Sequence, residues 1–78
     1  MSPFKLEISE HARMRLRLRG ITRTMVRRCL IEGAIVGLDE KGRRLKRIKI
    51  GRRVLEIVYL EISGGYLLVT NYWLGEYL

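Results

Sequence analysis

The residues best suited to chemistry lie near the start of the chain, where His11, Arg15 and Arg19 recur at every fourth position. Four residues make about one turn of an α-helix, so on a helix the three side chains form one row. A histidine exchanges a proton near neutral pH and can take the 2′-hydroxyl proton of a ribose or protonate a leaving oxygen. Arginines hold a phosphate and offset charge in the transition state. The row therefore predicts phosphodiester cleavage without a metal.

The surroundings of this row decide whether it is a site. On a helix it is flanked by Met14 and Leu18 on one side and by Ala12 and Leu16 on the other. We therefore expect the row near the centre of the buried face, pointing toward a sheet. Buried cations are costly unless paired, so the arginines either line an open cleft or bind carboxylates while His11 packs at the first turn. The carboxylates available for such pairs are Glu7, Glu56 and Glu61.

Two short helices are predicted in the first half of the chain. Ser9 and Thr22 can cap helix N-termini, and Gly20 and Gly33 stand where the helices would end. The alternation of Arg with Met or Leu from Arg13 to Arg19 would also suit a strand, but these residues are strong helix formers and none is β-branched. The predicted helices are Glu10–Arg19 and Arg23–Glu32.

After Gly33 the chain is dominated by β-branched and aromatic residues with turns between them. Helices followed by consecutive strands indicate an α+β fold. We expect a single domain, residues 1–78, in which two N-terminal helices pack on a four-stranded antiparallel sheet whose other face is partly open. The predicted strands are 34–38, 44–50, 53–62 and 66–73, and the short stretch 4–8 suits an edge strand.

The charge of the chain is large and unevenly distributed. Sixteen Lys and Arg oppose eight Asp and Glu, giving +8, and all the basic residues lie between Lys5 and Arg53. This favours an anionic partner, RNA above others, although a solvated surface without a partner has the same composition. The densest basic cluster contains no acid and suits either phosphate contact or an edge strand protected by charge. It consists of Arg44, Lys46, Arg47, Lys49, Arg52 and Arg53.

Residues near the C-terminus add further binding candidates. Thr70 and Tyr72 share one face of the last predicted strand. Two roles are open for them: contact with RNA, by binding phosphate or stacking on a base, or packing in the core. Trp73 and Tyr77 suit an exposed patch for a partner or for a second copy of the chain, although core packing is the usual role of a single tryptophan.

Several classes of site are disfavoured by composition. With Cys29 as the only cysteine and His11 as the only histidine, no disulfide, transition-metal site or cofactor is expected, and Cys29 is interpreted as a buried apolar residue. No stretch reaches the length of a membrane span and no signal peptide is found, so we expect a cytoplasmic protein without a membrane partner.

The string His11-Ala12-x-x-Arg15-Leu16-x-x-Arg19-Gly20-Ile21 resembles the start of a group of short microbial domains that begin His-Ala-x-x-Arg-Met-x-x-Arg-Gly-Ile. These domains are similar to the RelE-like ribonuclease toxins, whose fold packs N-terminal helices on a four-stranded antiparallel sheet. The resemblance extends to a last strand like Val69-Thr70-Asn71-Tyr72. It implies metal-independent RNA cleavage by a toxin that a cognate acidic antitoxin restrains, with His11, Arg15 and Arg19 as the catalytic residues.

The chain departs from that group in its second helix, which is often acidic in the group. Here the helix carries Arg23, Arg27 and Arg28. The leading hypothesis is therefore an endoribonuclease of the toxin–antitoxin kind. The alternatives are a non-catalytic module that binds RNA or DNA, and an element that binds an antitoxin protein without cleaving RNA, with a homodimer as a further possible assembly.

Overall fold

The structure is a computed structural model, and it describes residues 4–75. Two helices lie between the first strand and a run of four consecutive strands. In chain order the elements are β1 (Lys5–Ile8), α1 (Glu10–Arg19), α2 (Arg23–Glu32), β2 (Ala34–Leu38), β3 (Arg44–Ile50), β4 (Arg53–Ile62) and β5 (Gly65–Trp73).

Both helices begin at the residues that the sequence predicts. The Ser9 hydroxyl accepts a hydrogen bond from the amide of Ala12 at 3.1 Å, and the Thr22 hydroxyl accepts one from the amide of Met25 at 3.2 Å. These bonds satisfy amides that have no partner inside the helix. At the other end of α1, Gly20 adopts φ 65°, a left-handed conformation that favours glycine. The predicted bounds of both helices are confirmed.

The α+β class is confirmed, but the prediction of a four-stranded antiparallel sheet is wrong. The sheet has five strands in the order β1-β5-β4-β3-β2, and β1 runs parallel to β5 while the other pairs are antiparallel. The stretch 4–8 does form the expected edge strand. The sequence does not predict which strand β1 pairs with, because β1 is only four residues long and its partner β5 is distant in the chain. Lys5 pairs with Gly65, which lies 60 residues later.

The helices cover one side of this sheet. α1 lies over β5, and α2 lies over β3 and β4. The core between the two layers is closed by apolar side chains that are almost fully buried. They are Ala12, Leu16, Ile21, Val26, Cys29, Leu30, Leu55, Ile57, Tyr59, Leu68 and Trp73. Within residues 4–75, no helix is long and apolar enough to cross a membrane.

The junction of β1 with β5 depends on a glycine. A Cβ atom at Gly65 would lie 1.9 Å from the carbonyl oxygen of Lys5, so a side chain at this position would push β1 off the sheet. We predict that Gly65→Ala lowers the free energy of unfolding by about 1–3 kcal/mol through this overlap. Urea denaturation followed by circular dichroism measures the effect. Ser63→Ala at the exposed turn is the control, and equal stability of the two variants would contradict the prediction.

Candidate nucleic-acid interface

The row formed by His11, Arg15 and Arg19 lies along one flank of α1. Ala12 and Leu16 are buried against the sheet, whereas Met14 and Leu18 are 62% and 70% exposed. The expectation that the row occupies the centre of the buried face is therefore wrong. The reason is that α1 packs on the single strand β5 and needs only one narrow apolar stripe for that contact.

His11 and Arg15 lie side by side at the solvent. The Nε of Arg15 donates to Nε2 of His11 over 3.5 Å, a long, exposed contact between a solvent-exposed residue, His11, and a half-buried one, Arg15. The alternative in which the row's arginines pair with carboxylates is contradicted. The three carboxylates in question bind other cations, in the pairs Lys5–Glu7, Arg44–Glu61 and Arg47–Glu56.

Arg19, the third member of the row, is attached to the sheet. Its guanidinium donates to the backbone carbonyl of Asn71 at 2.6 Å, and its own carbonyl accepts a hydrogen bond from the indole of Trp73 at 2.8 Å. Asn71 also donates from its side-chain amide to the carbonyl of Ala12 at 3.2 Å. These contacts fix the position of α1 on β5, and through it the position of His11 and Arg15.

The basic cluster predicted from the sequence is divided between the two sides of the sheet. Lys46 points to the helices and donates to the carbonyl of Leu30 at 2.5 Å, so it is engaged inside the fold. Arg44, two residues away on the same side, is 3.6 Å from Glu61. Arg53 lies 3.8 Å over the ring of Trp73, and Arg52 is exposed in the turn before it.

Other candidates lie together on the side of the sheet opposite the helices, here called the open face. Alternation from Lys46 places Arg47 and Lys49 on this side, and cross-strand pairing brings Glu56, Tyr72 and Thr70 to it. Four of the eight predicted nucleic-acid-binding residues therefore share one surface. Lys49 is exposed there, and Thr70 and Tyr72 are half-buried.

Glu56 is the residue of the open face that the sequence analysis did not assign to a site. It is only 5% exposed although no helix of residues 4–75 lies over this side. One carboxylate oxygen accepts from the Arg47 guanidinium and the other from the Tyr72 hydroxyl. Burial raises the pKa of Tyr72 to about 12, and the adjacent Glu56 carboxylate contributes in the same direction. No sequence signal links the three, since strand register alone aligns them.

β5 connects the open face with the α1 row. Thr70 and Tyr72 point to the open face, and the residue between them, Asn71, presents its backbone carbonyl to Arg19. A guanidinium of α1 therefore lies beside a strand whose other side carries two of the binding candidates.

Two arginines and the cysteine of α2 have partners or positions within the fold. Arg27 lies 5.0 Å over the ring of Phe4 and donates to its carbonyl at 3.3 Å, while Arg28 is 3.5 Å from Glu32. Cys29 is fully buried, as expected, and burial raises its pKa to about 12, so the thiol is not a nucleophile at neutral pH.

Trp73 is 4% exposed and packs in the core, so its usual core-packing role is confirmed and it forms no exposed patch. Tyr77 lies outside the described residues. Among residues 4–75, no three side chains of His, Cys, Asp or Glu are grouped as a metal site would require.

Comparison with known proteins gives one match. A family model described as "Domain of unknown function (DUF4258)" matches residues 8–73, which include both helices and the strands β2 to β5. No curated protein and no solved structure matches the chain.

The buried carboxylate of Glu56 gives a prediction for its partner. Tyr72→Phe removes the hydroxyl that satisfies one Glu56 oxygen, and we expect a loss of about 1–3 kcal/mol in the free energy of unfolding at pH 7. Because folding raises the pKa of Tyr72 from 10.0 to about 12, this contribution is intact below pH 10 and is lost as the pH rises toward 12.

Urea unfolding of wild type and Tyr72→Phe at neutral and alkaline pH measures both effects. The stability difference between the two proteins should shrink above pH 10. Tyr66→Phe, which alters another half-buried tyrosine, is the control. A difference that grows with pH would show that the hydroxyl does not donate to Glu56.

Proposed function

This chain belongs to the DUF4258 family, and we propose that it is a metal-independent endoribonuclease that binds RNA through its cationic surface. One observation carries the proposal: an exposed imidazole, His11, contacts the guanidinium of Arg15 on a helix that is fixed to the sheet. The pair combines an imidazole, a group that can accept a proton, with a guanidinium, a group that binds phosphate.

The chemistry follows from these two groups. When Arg15 turns from His11 to the phosphate, Nε2 of His11, which accepts from Arg15 in the structure, becomes free to accept the proton of a ribose 2′-hydroxyl as that oxygen attacks the adjacent phosphorus. The bond from phosphorus to the 5′-oxygen breaks, and the leaving oxygen takes a proton from solvent. Arg15 binds the phosphate oxygens, on which negative charge increases in the transition state.

The surroundings of the pair favour a polyanion. α1 carries Arg13, Arg15, Arg17 and Arg19 and a single acid, Glu10. Within residues 4–75, none of these four arginines forms an ion pair with a carboxylate. Arg19 is bound to the Asn71 carbonyl, and the charge of the other three is available to phosphates. Such a surface raises the local concentration of RNA and speeds its association.

The open face supports a longer contact with the same RNA. Lys49 is exposed there and Arg47 retains N–H groups beyond the one bound to Glu56. Tyr72 offers a ring on which a base can stack, and Thr70 offers a hydroxyl. We propose that Arg52, in the turn before β4, adds a phosphate contact at the margin of this path, and that Arg44 and Arg53 add contacts on the helix side of the sheet.

A second candidate is a module that binds RNA or DNA without cleaving it. The observation in its favour is the engagement of Arg19 with the Asn71 carbonyl, which gives this arginine a structural role and leaves two residues of the row at the solvent. A protein that binds RNA or DNA through charge alone does not need a histidine in line with the arginines.

The relation to the RelE-like toxins is part of the proposal. It is supported by the helix pair packed on the antiparallel strands β2 to β5, with β1 as an additional parallel strand. The resemblance also supplies the proposed biological setting, a cytoplasmic toxin restrained by an acidic antitoxin. A protein that binds RNA without cleaving it could be bound by the same acidic antitoxin.

Incubation with total RNA in the presence of a chelator tests the enzymatic proposal. Wild type should produce fragments, and His11→Ala should lower the cleavage rate by about 10²–10⁴, the usual contribution of a positioned acid–base group. RNA affinity should change little. Met14→Ala, at an exposed uncharged position of the same helix, is the matched control. Equal cleavage by wild type and His11→Ala would refute the role of His11.

The salt dependence of RNA binding tests the proposed surface separately from catalysis. Each phosphate contact on single-stranded RNA contributes a slope of about −0.7 in log K against log salt. We expect Lys49→Ala to reduce the slope by about this amount. Glu32→Gln, at the end of α2, is the control and should leave the slope unchanged. Fluorescence anisotropy with a labelled oligonucleotide measures both, and an unchanged slope in Lys49→Ala would exclude Lys49 from the interface.

A further inference from the structure

β2 forms one edge of the sheet. It pairs with β3 on one side, and within residues 4–75 no strand pairs with its other side. An edge strand presents a row of unpaired amide and carbonyl groups that can extend the sheet with a further strand. The composition of β2 determines what such a strand can be.

The side chains of β2 leave a large apolar surface at the solvent. Ile35 and Leu38 are 69% and 63% exposed, and Val36 is 42% exposed. The register pairs Ile35 with Lys46, whose ammonium group reaches α2, so Ile35 lies on the helix side of the sheet. α2 lies over β3 and β4, and the layer of helices ends before β2.

The usual protection of an exposed edge is largely missing. β2 reads Ala-Ile-Val-Gly-Leu and contains no lysine, proline or charged residue that would disfavour pairing. It does carry an irregularity between Ile35 and Gly37, where the register with β3 shifts. Such a bulge limits the length of a new ladder, so an added strand would bind through few residues and with moderate affinity.

The distribution of charge indicates the partner. The chain carries +8, yet residues 28–43, which contain β2 and both of its flanks, hold three basic and three acidic residues. Two of these are paired as Arg28–Glu32 and two as Arg43–Asp39. A neutral, apolar edge gives no advantage to RNA or to an acidic protein, whereas it lets two copies of a cationic chain approach without the repulsion that a basic edge would cause.

We propose that two copies of this chain associate through β2, edge to edge and antiparallel about a two-fold axis. Such an interface uses the same residues on both copies and forms one continuous ten-stranded sheet. Ile35 and Leu38 of each copy are then shielded by the other. The two open faces become neighbours, which lengthens the surface available to a polyanion. The association itself does not depend on RNA or on cleavage.

Sedimentation of nucleic-acid-free protein over a range of concentrations tests the proposal. Wild type should pass from monomer to dimer as its concentration rises. Ile35→Lys and Leu38→Lys each place a charge on the apolar edge, and each should weaken dimerisation about tenfold or more. Both sites are exposed, and circular dichroism checks that the variants fold. Leu18→Lys, at an equally exposed position on α1, is the matched control and should dimerise like wild type.

Each contrary outcome overturns the proposal in an identifiable way. Wild type that remains monomeric at all concentrations excludes self-association and leaves the edge to another protein. Dimers that persist in both β2 variants but disappear in Leu18→Lys would place the interface on α1. Because sedimentation does not depend on cleavage, failure of the ribonuclease assay leaves this test unaffected.

Discussion

The attachment of α1 to β5 is the constraint on which the site depends. Asn71 lies at its centre, fully buried, with its side chain bound to the carbonyl of Ala12 and its own carbonyl bound to Arg19. Trp73 completes the attachment from the same strand. Buried polar groups are costly unless they are satisfied, and the side-chain amide N–H and the backbone carbonyl of Asn71 are, whereas its Oδ1 has no partner among residues 4–75. The bonds that do form also fix the helix in rotation and in register. This attachment buries the neighbouring stripe of α1, formed by Ala12 and Leu16, and it therefore leaves His11 and Arg15 on the exposed flank.

The sheet that contains β5 separates two cationic surfaces, one on the helix side and one on the open face. On the helix side the charge of α1 remains available, whereas on the open face the most buried acid, Glu56, is satisfied by Arg47 and Tyr72. A carboxylate without such partners would be costly to bury. Two partners that bind it from neighbouring strands therefore set the geometry of the open face while leaving Lys49 at the solvent.

Local signals in the sequence were sufficient for the helices, since Ser9, Thr22 and Gly20 act within a few residues of their positions in the chain. The α+β class and the edge strand 4–8 also follow from local pattern. The sequence does not predict the register between strands or the side of the sheet to which each side chain points. Whether Lys46 or Arg47 turns toward the helices depends on pairing between strands, and a shift of one residue exchanges the two faces. The parallel pairing of β1, the burial of Glu56 and the narrow apolar stripe of α1 all belong to this class, because each depends on contacts between residues that are distant in the chain.

The central claim is that the His11–Arg15 pair promotes attack of a ribose 2′-oxygen on the neighbouring phosphorus. The most direct test is the chemical identity of the ends produced from a defined oligoribonucleotide, compared with the same oligonucleotide carrying a 2′-O-methyl group at the cleaved position. We expect a 5′-hydroxyl end opposite a cyclic 2′,3′-phosphate or the 3′-phosphate formed from it, and no cleavage of the methylated substrate. Ends that carry a 5′-phosphate, or cleavage that survives methylation, would contradict it.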